Sequence, residues 1–518
     1  MKTTISLLIG LICYCEITNA QPKTFSKVYP FINNSTIFFD AVELNGKLYS
    51  CGWMVNNLDR TDRGLLVGTD QIGNQIYNSI KEDGDSINPT LLYKQILLLE
   101  NTIYCSGYLV TFDSSTLGYK KDAILAKYDT LGNELWYRKN YGFGSRNFSN
   151  STDLMYHNNK ILHLGSTVYE AQPSQSSRTQ NTVLFWVDTS GNIINFKEFS
   201  LSTQHKYEIG SDLEPLADGG FLITGQLTNN GGGGQRNGFI AKFDSAGNTI
   251  WFKIYGEQGR LEDLNSVTVL ADGNYLACGW RARDEDLTGV NAAWDSWLVK
   301  VNPLNGDTIW TKTVNAAYYN AGVRVYELAN GNLMVGGEGG NLDSANGDAQ
   351  IMQLDALGNK LWAKRYGWPY NPVNNAVSAE NIYEFKQTSD GGYMFVGDAR
   401  DFINGSGLQS GWLLKLDSNG CLVAGCGSVG MVEYEVFKTL TFTAYPNPAQ
   451  NEVSISGELQ DGDVLTFFDF TGKLLEQRVI NSSELPTFDV SGYANGIYLL
   501  QLYRSGYDKV VRKVVVNK

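Results

Sequence analysis

The 518-residue sequence has few of the residues on which common catalytic and metal-binding motifs depend. It contains three histidines and seven cysteines, and neither a Gly-x-Ser-x-Gly nor a His-Glu-x-x-His string is present. Charged residues make up only 18% of the chain, and long amphipathic helical patterns are missing. The sequence therefore gives no catalytic residue that we can name, and it argues against a helical fold.

The cysteine pattern excludes a disulfide scaffold and a zinc site of paired Cys-x-x-Cys motifs. Cys51, Cys105 and Cys278 stand beside or near glycines in hydrophobic runs, so we expect small buried side chains there. Cys421 and Cys426 flank a short turn, and they are the one pair that we expect to form a disulfide.

Excess negative charge and a single apolar run bear on where the chain acts. The net charge of −13 argues against nucleic acid or an anionic membrane as a partner. Lys2 precedes the apolar run 5–14, and Thr18-Asn19-Ala20 offers small residues for cleavage, so residues 1–20 are expected to be a signal peptide cleaved after Ala20. That run is too short to span a bilayer, and we expect no transmembrane segment.

What the chain does contain is a turn motif at a regular spacing. Clear copies are Asp129-Thr-Leu-Gly-Asn-Glu-Leu-Trp136, Asp244-Ser-Ala-Gly-Asn-Thr-Ile-Trp251 and Asp355-Ala-Leu-Gly-Asn-Lys-Leu-Trp362. Successive turn glycines are 52 to 62 residues apart, and they are Gly73, Gly132, Gly191, Gly247, Gly306, Gly358 and Gly420. A fixed period of this length is typical of a repeat array. The tryptophans recur at one repeat position, which indicates packing between neighbouring repeats.

A second motif, a tight turn followed by a hydrophobic strand that ends in glycine, repeats in phase with the first. Its closing glycines are Gly52, Gly107, Gly165, Gly225, Gly279, Gly337 and Gly397. Together the two motifs predict four strands a–d in each repeat, for example near 267–270, 275–279, 297–301 and 309–313. Seven such units predict an all-β, seven-bladed β-propeller over residues 22–427. Phe25–Tyr29 resembles a strand d without a blade of its own, so we expect it to pair with the last blade near Trp412–Leu416.

The strand order predicts which end of the repeats carries function. The a–b and c–d turns are short and repetitive, whereas the segments between strands b and c are long and irregular. These are Trp53–Arg63, Tyr108–Lys121, Thr167–Asn181, Gln226–Asn237, Trp280–Asp295, Glu338–Asp348 and Asp398–Ser410. Loops held by a rigid scaffold are where binding residues usually lie, so we expect any ligand to bind at the end with these segments.

Five aromatic residues in irregular segments are candidates for ligand binding, because exposed rings stack on sugars or contact partners. Trp53 and Trp280 are expected to open a b–c loop, Trp294 to lie within one, and Trp368 and Tyr370 to open a d–a loop. The alternative is that these rings only pack within their loops.

Acidic clusters are the other candidates. Asp284-Glu285-Asp286, Asp398 with Asp401, and Asp59 with Asp62 offer oxygen ligands for calcium. None has the spacing of a calcium-binding loop, so we interpret them as solvated charge and expect no cofactor. Carboxylates from distant loops could still converge as a glycosidase-like pair. His157 and His163 bracket the predicted turn Asn158-Asn159, with no serine or cysteine motif beside them in sequence.

The last 77 residues, 442–518, do not follow the repeat. They follow a linker at 428–441 and contain Ala444-Tyr-Pro-Asn-Pro448, Phe468-Asp-Phe-Thr-Gly472 and Gly496-Ile-Tyr-Leu-Leu-Gln-Leu502. Their alternation predicts a small immunoglobulin-like β-sandwich. These strings resemble the type A C-terminal sorting domain of type IX secretion substrates of Bacteroidetes. The resemblance implies export across both membranes, handling by the type IX machinery, and release or attachment at the cell surface. An ordinary adhesion domain is the alternative.

The repeats carry two further resemblances. They look like the propeller repeats often fused to such sorting domains. The Asp-x-x-Gly-x-x-x-Trp string also resembles the tryptophan-docking repeat of pyrroloquinoline-quinone propeller dehydrogenases, but the adjacent Cys-Cys pair of those enzymes is missing here. The sequence therefore favours a secreted or cell-surface protein that binds a glycan or another protein. The alternatives are an extracellular polysaccharide hydrolase or lyase that uses loop carboxylates, and a structural surface protein.

Overall fold

The structure is a computed structural model. It describes residues 23–31, 33–57, 61–83, 89–113, 118–139, 147–169, 179–202, 205–228, 236–283, 294–315, 319–340, 348–367, 380–400, 408–423, 438–439, 442–457, 459–470, 473–480, 486–503, 507–508 and 510–518. Regular secondary structure in these residues is β throughout, which confirms the all-β prediction. The predicted signal peptide, Trp368, Tyr370 and Cys426 lie outside the described residues, so the cleavage after Ala20 and the Cys421–Cys426 disulfide stay predictions.

Twenty-eight strands precede the predicted linker. The first seventeen are β1 (Phe25–Tyr29), β2 (Asn34–Leu44), β3 (Lys47–Asn56), β4 (Asp62–Thr69), β5 (Gln75–Lys81), β6 (Thr90–Leu99), β7 (Thr102–Asp113), β8 (Gly118–Asp129), β9 (Glu134–Lys139), β10 (Asn147–His157), β11 (Lys160–Tyr169), β12 (Thr179–Val187), β13 (Ile193–Phe199), β14 (Tyr207–Pro215), β15 (Phe221–Thr228), β16 (Arg236–Phe243) and β17 (Thr249–Tyr255). The next eleven are β18 (Glu262–Val269), β19 (Tyr275–Ala282), β20 (Trp294–Val301), β21 (Thr308–Val314), β22 (Tyr319–Glu327), β23 (Leu333–Gly340), β24 (Asp348–Leu354), β25 (Lys360–Tyr366), β26 (Asn381–Gln387), β27 (Tyr393–Arg400) and β28 (Gln409–Leu416).

These strands pair as consecutive four-stranded antiparallel units, numbered here 1 to 7 in chain order. Units 1 to 6 begin at β2, β6, β10, β14, β18 and β22, and unit 7 consists of β26, β27, β28 and β1. A single parallel bridge, Asp62 to Thr90, joins units 1 and 2 into one sheet, and Gln180 to Tyr207 does the same for units 3 and 4. The predicted pairing of Phe25–Tyr29 is confirmed, since β1 runs antiparallel to Gly411–Lys415.

The strand bounds differ from the prediction at one end of each unit. In unit 5 the first strand begins at Glu262, five residues before the expected start, and β19 continues three residues past Gly279. The segments expected to be loops between strands b and c are thus partly strand, and the prediction that the repeated glycine ends its strand is wrong. The reason is that polar and apolar residues do not alternate clearly beyond the repeated glycine, although the hydrogen-bonded pairing of the strands continues.

A β-bulge explains why that glycine repeats. The first strand of each unit carries a bulge opposite the glycine of the second strand, as between Leu264 and Ser266 opposite Gly279. A Cβ on Gly279 would lie 1.9 Å from the Asp263 carbonyl oxygen, and one on Gly337 would lie 1.9 Å from that of Ala321. Only glycine leaves room for the bulged backbone at this position.

The Asp-x-x-Gly-Asn motif forms the turn between the third and fourth strands, as predicted. Asp355 Oδ1 accepts from the Leu357 and Asn359 amides at 2.9 and 2.8 Å, and Oδ2 accepts from Asn359 Nδ2 at 2.7 Å. The hydrogen bond from the Asn359 side chain holds the pKa of Asp355 below its usual value. The turn is therefore satisfied by its own residues.

The tryptophan of the motif packs under the next unit, which confirms its structural interpretation. A Cβ on Gly191 would lie 2.7 Å from the Trp136 ring, and a Cβ on Gly306 would lie 2.8 Å from the Trp251 ring. In unit 1, Gly73 takes this place, and a Cβ there would lie 2.5 Å from the ring of Phe25 of unit 7. The last unit thus packs on the first as the others pack on their successors.

Hydrophobic clusters lie between successive units. One cluster joins Leu162 and Trp186 of unit 3 to Phe221 and Phe243 of unit 4. Equivalent clusters bridge the other consecutive pairs, and one joins Val396 and Leu413 of unit 7 to Phe38 and Leu65 of unit 1. Cys51, Cys105 and Cys278 are buried and free, as expected, in the cores at units 1, 2 and 5.

Nine strands follow the repeat units. β29 (Lys438–Thr439) falls within the segment predicted to be a linker, and the C-terminal module contains β30 (Phe442–Tyr445), β31 (Glu452–Gly457), β32 (Val464–Asp469), β33 (Leu474–Val479), β34 (Thr487–Asp489), β35 (Gly496–Tyr503), β36 (Tyr507–Asp508) and β37 (Val510–Val516). β30, β31 and β34 form one sheet, and β33, β32, β35 and β37 form another. Ile455 and Phe488 of the first sheet share a buried core with Phe467 and Leu500 of the second. The remaining strands, β29 and β36, pair with each other.

Candidate functional site

A polar pocket of about 490 Å³ lies at the end of unit 5 where its second strand leads toward its third. We call it the unit 5 pocket, and its lining residues are Glu257, Arg260, Arg281, Ala282, Arg283, Asp295, Thr313 and Asn315. They come from the connection before β18 and from β19, β20 and β21 or the residues that directly follow these strands. This is the end of the unit that the sequence predicted to carry function, opposite the short turns.

Backbone conformation shapes the connection between β17 and β18, which forms one wall of the pocket. Gly256 has φ 125°, and a Cβ there would lie 1.9 Å from a carboxylate oxygen of Glu262. The Glu262 carboxylate accepts a hydrogen bond from the Glu257 amide at 2.7 Å, which anchors the connection to the first residue of β18. Glycine at 256 therefore lets the chain turn closely around a buried carboxylate.

Guanidinium–carboxylate pairs dominate the pocket. Arg281 lies 2.8 Å from Glu257 and 3.2 Å from Glu262, and Arg260 lies 3.1 Å from Glu257. The hydrogen bond from Arg281 lowers the pKa of Glu257, whose side chain remains 62% exposed. Burial raises the pKa of Glu262, which is fully buried.

Arg283, the third arginine of the pocket, forms an ion pair with Asp295. Arg283 donates from Nε to Asp295 Oδ1 at 2.9 Å, and its terminal nitrogen lies 2.8 Å from the same oxygen. Both side chains are partly exposed at 13% and 16%. The pocket therefore presents charged donors and acceptors at fixed positions, several of them reachable from solvent.

Two predicted ligand-binding residues meet behind the unit 5 pocket. Trp280 and Trp294 stack with ring centroids 4.6 Å apart, and the Arg236 guanidinium lies 5.5 Å from the centre of the Trp280 ring. Arg281 pairs with Asp295 across the two strands, whereas Trp280 pairs with Ser296. Because neighbouring residues on a strand point to opposite faces, the tryptophans project away from the pocket's ion pairs.

The expected loop positions of three tryptophans are wrong. Trp280 lies inside β19 and is 9% exposed, Trp294 begins β20, and Trp53 lies inside β3. Trp53 packs against the cluster of Ile37, Phe39 and Leu92, away from the other two. The strands continue past the glycine, so residues expected to open a loop are paired in the sheet. Their role in ligand binding stays a prediction.

Sequence reasoning did not single out Arg260, Arg281 and Arg283. The available signal was the string Trp280-Arg-Ala-Arg283, in which two arginines stand at alternate positions at the end of a strand that is otherwise hydrophobic. The acidic cluster at 284–286, Asp59 and Asp401 lie outside the described residues. Asp398 is buried and hydrogen-bonds Gln409, and Asp62 accepts from Thr90 at 2.8 Å. No group of three or more potential metal ligands occurs among the residues that the structure describes.

One histidine has a serine partner that its sequence neighbourhood does not reveal. His163 Nε2 lies 2.9 Å from Ser151 Oγ, which lies 2.9 Å from Ser106 Oγ. Burial lowers the pKa of His163 to about 3, and the residue is fully buried. This network links units 2 and 3 in the interior and is closed to substrate. The turn beside it is as predicted, because Asn158 and Asn159 have positive φ values of 50° and 59°.

Comparisons with known proteins identify the C-terminal module. Residues 443–517 match the family described as the secretion system C-terminal sorting domain. No curated protein matches the chain. In the part of the chain that the structure describes, no helix is long and apolar enough to cross a bilayer.

Solved structures resemble the chain only distantly. An acylaminoacyl peptidase from Pyrococcus horikoshii is 11% identical with a TM-score of 0.39; the match covers 83% of this chain but only 59% of the peptidase. An ulvan lyase of polysaccharide lyase family PL25 is 11% identical with a TM-score of 0.46, covering 78% and 98% of the two chains. A mutant of Trypanosoma rangeli sialidase is 9% identical with a TM-score of 0.40, covering 96% and 90%.

These structural scores are too low to carry any activity over to this chain. The sorting-domain match instead agrees with the motifs at 444–448, 468–472 and 496–502. The chain carries a secretion system C-terminal sorting domain and is a type IX secretion substrate, secreted or held at the cell surface.

Proposed function

We propose that units 1 to 7 are the blades of a closed seven-bladed β-propeller, exported with the immunoglobulin-like sandwich of residues 442–518. The packing of Phe25 on Gly73 and the cluster shared by Val396 and Leu65 support closure of unit 7 on unit 1. In this arrangement the first strand of each unit lines a central channel. We further propose that residues 1–20 are removed and that 428–441 act as a linker in a Bacteroidetes protein.

The propeller is proposed to bind a glycan at the unit 5 pocket, with a protein ligand as the second possibility. The guanidinium–carboxylate pairs of this pocket are the observation that carries the proposal. Arg283 with Asp295, and Arg281 with Glu257, present charged donors beside charged acceptors at 2.8 Å. Such pairs form the strong hydrogen bonds that recognise sugar hydroxyl groups, which act as donor and acceptor at once.

The same pairs favour binding over hydrolysis. A general acid must hold a proton near neutral pH, which requires a raised pKa. Glu257 is the most exposed carboxylate of the pocket. Its hydrogen bond with Arg281 instead lowers its pKa. A carboxylate held in its ionised form accepts hydrogen bonds well but donates no proton.

A polysaccharide hydrolase or lyase is the alternative function, and one observation favours it. Asp263 lies behind the pocket beside Arg236 at 3.5 Å, and burial raises its pKa to about 6. A carboxyl group of that kind would hold a proton at mildly acidic pH. A structural surface protein without a small ligand is the remaining alternative.

A polysaccharide panel assayed for both binding and product release separates these functions. The full-length chain should bind at least one glycan without releasing products, and Arg283→Gln should weaken that binding at least tenfold. The double variant Arg283→Gln/Asp295→Asn removes the pair without leaving an unpaired charge, so it controls for local misfolding. Product release abolished by Asp263→Asn would establish the enzyme instead, and blanks in both assays would favour the structural protein.

A further inference from the structure

A second cluster of aromatic and basic side chains lies where units 7, 1 and 2 meet. Phe39, Lys94 and Tyr383 are the extra residues of the bulges in β2, β6 and β26. Bulges redirect a side chain out of the regular alternation. Here three successive units direct their bulged side chains to one place, which we call the Lys94 cluster together with Tyr108 and Lys121.

Contacts within the Lys94 cluster are close. Lys94 Nζ lies 3.4 Å from the centre of the Phe39 ring and 5.9 Å from that of Tyr383, and these two rings meet edge to face at 4.9 Å. Lys121 Nζ lies 3.6 Å from the centre of the Tyr108 ring, which packs on the same hydrophobic cluster as Phe39. Two ammonium groups therefore stand over adjoining aromatic faces.

The Lys94 ammonium has no carboxylate partner among the described residues. Its contacts are the two aromatic rings, and the carboxylate of Asp40, the residue after Phe39, is occupied by Lys386 and by the Ile96 amide at 3.1 Å. A partly buried cation that lacks a counter-ion costs free energy, which cation–π contact offsets only in part. The energetic gain from placing an anion beside it is correspondingly large.

The surroundings of the ammonium support this interpretation. Burial lowers the pKa of Lys94 to about 8, while the Cys51 thiol raises it and the Lys121 ammonium lowers it further. Burial likewise lowers the pKa of Lys121 to about 8. Tyr383 and Tyr108 face the two lysines as neutral phenols, since burial raises the pKa of each.

We propose that the Lys94 cluster binds the carboxylate or sulfate group of an acidic saccharide. Tyr383 is 37% exposed, so its ring offers a surface on which a sugar can stack while the acidic group reaches Lys94. This site shares no residue with the unit 5 pocket and does not depend on it. It gives the protein a preference for acidic over neutral saccharides. The unit 5 pocket does not provide this preference, because the opposite charges of its ion pairs balance.

Calorimetric titration of the full-length chain with glucuronate, glucose 6-sulfate and glucose tests the proposal. Either acidic sugar should bind at least tenfold more tightly than glucose, and its binding should weaken as the pH rises through about 8 and Lys94 loses its proton. Lys94→Met keeps the apolar stem over Phe39 and should abolish the preference, whereas Lys94→Arg should retain it. Lys47→Met, an exposed lysine at the turn end of unit 1, should leave it unchanged.

Several outcomes would overturn the proposal. Equal affinity for acidic and neutral sugars would do so, as would an unaltered preference in Lys94→Met. Tighter binding of triglutamate than of either acidic sugar would show a peptide site instead. Arg283→Gln should leave the preference for acidic over neutral sugars unchanged, so failure here leaves the proposed glycan site at the unit 5 pocket untouched.

Discussion

Carboxylates at the two ends of the repeat units are used in different ways. At the turn end, Asp355 accepts three hydrogen bonds from its own turn, and Asp129 and Asp244 repeat the arrangement. At the other end, Glu257 and Asp295 pair with arginines that come from separate segments. A carboxylate whose hydrogen bonds are made locally can repeat in every unit, whereas one that depends on distant partners occurs where a particular pocket is built.

The substitution with the largest expected effect on stability lies in the sheet, between the two ends of a unit. Gly279→Ala would place a Cβ 1.9 Å from the Asp263 carbonyl oxygen and 2.8 Å from the Leu264 Cα. The backbone of the bulge cannot yield as a side chain would, so we expect a loss of at least roughly 3 kcal/mol of folding free energy. Denaturant unfolding measures it. Gly492→Ala, which meets no atom within 4 Å, is the control and should change little.

A smaller effect is expected at Glu208, near the start of β14 at the end opposite the turns. Its carboxylate accepts from the Leu201 amide at 2.8 Å, and burial raises its pKa to about 7. A raised pKa means that the folded state favours the proton, so ionisation destabilises the fold increasingly from about pH 4.5 to 7 and the loss levels off above that range. Glu208→Gln should therefore stabilise the protein by roughly 1–3 kcal/mol at pH 8.

The pH dependence of this variant provides its own control. At pH 4.5 the wild-type side chain is protonated in the folded state, and the thermal unfolding temperatures of Glu208→Gln and wild type should nearly coincide. A stabilisation of equal size at both pH values would contradict the burial argument.

The smallest effect is expected at the turn end. Asp355→Ala removes three hydrogen bonds of an exposed turn, and we expect the Tm to fall by roughly 1–3 °C. Asp355→Asn keeps the Oδ1 acceptor, so its Tm should fall less. If Asp355→Ala also weakened ligand binding, the division between the two ends would be wrong.

The repeats could be predicted from sequence because their determinants are local. Gly306 and Gly358 mark turns that their own residues close, and the spacing of such turns indicated the strands between them. The motifs near Tyr445 and Gly472 are likewise short local strings, and they were sufficient to indicate the sorting domain that the family match confirms. The extent of the strands was missed because pairing partners, and not residue alternation, carry them past the repeated glycine.

The candidate sites could not be predicted because their residues meet only in the fold. Arg260 and Arg283 belong to different segments, and nothing in the sequence shows that both line one pocket. Phe39 and Tyr383 are more than 340 residues apart and meet because unit 7 packs on unit 1. Aromatic residues alone were therefore a poor guide, since Trp280 proved to be buried.

Paired measurements on two variants test most directly whether the ends divide stability from binding. The best glycan ligand of the panel would be titrated into wild type, Asp355→Ala and Arg283→Gln, and the Tm of each would be recorded. We predict that Arg283→Gln loses at least tenfold in affinity with nearly unchanged Tm, and that Asp355→Ala loses Tm with unchanged affinity. Wild-type affinity in Arg283→Gln, or loss of affinity in Asp355→Ala, would contradict the account.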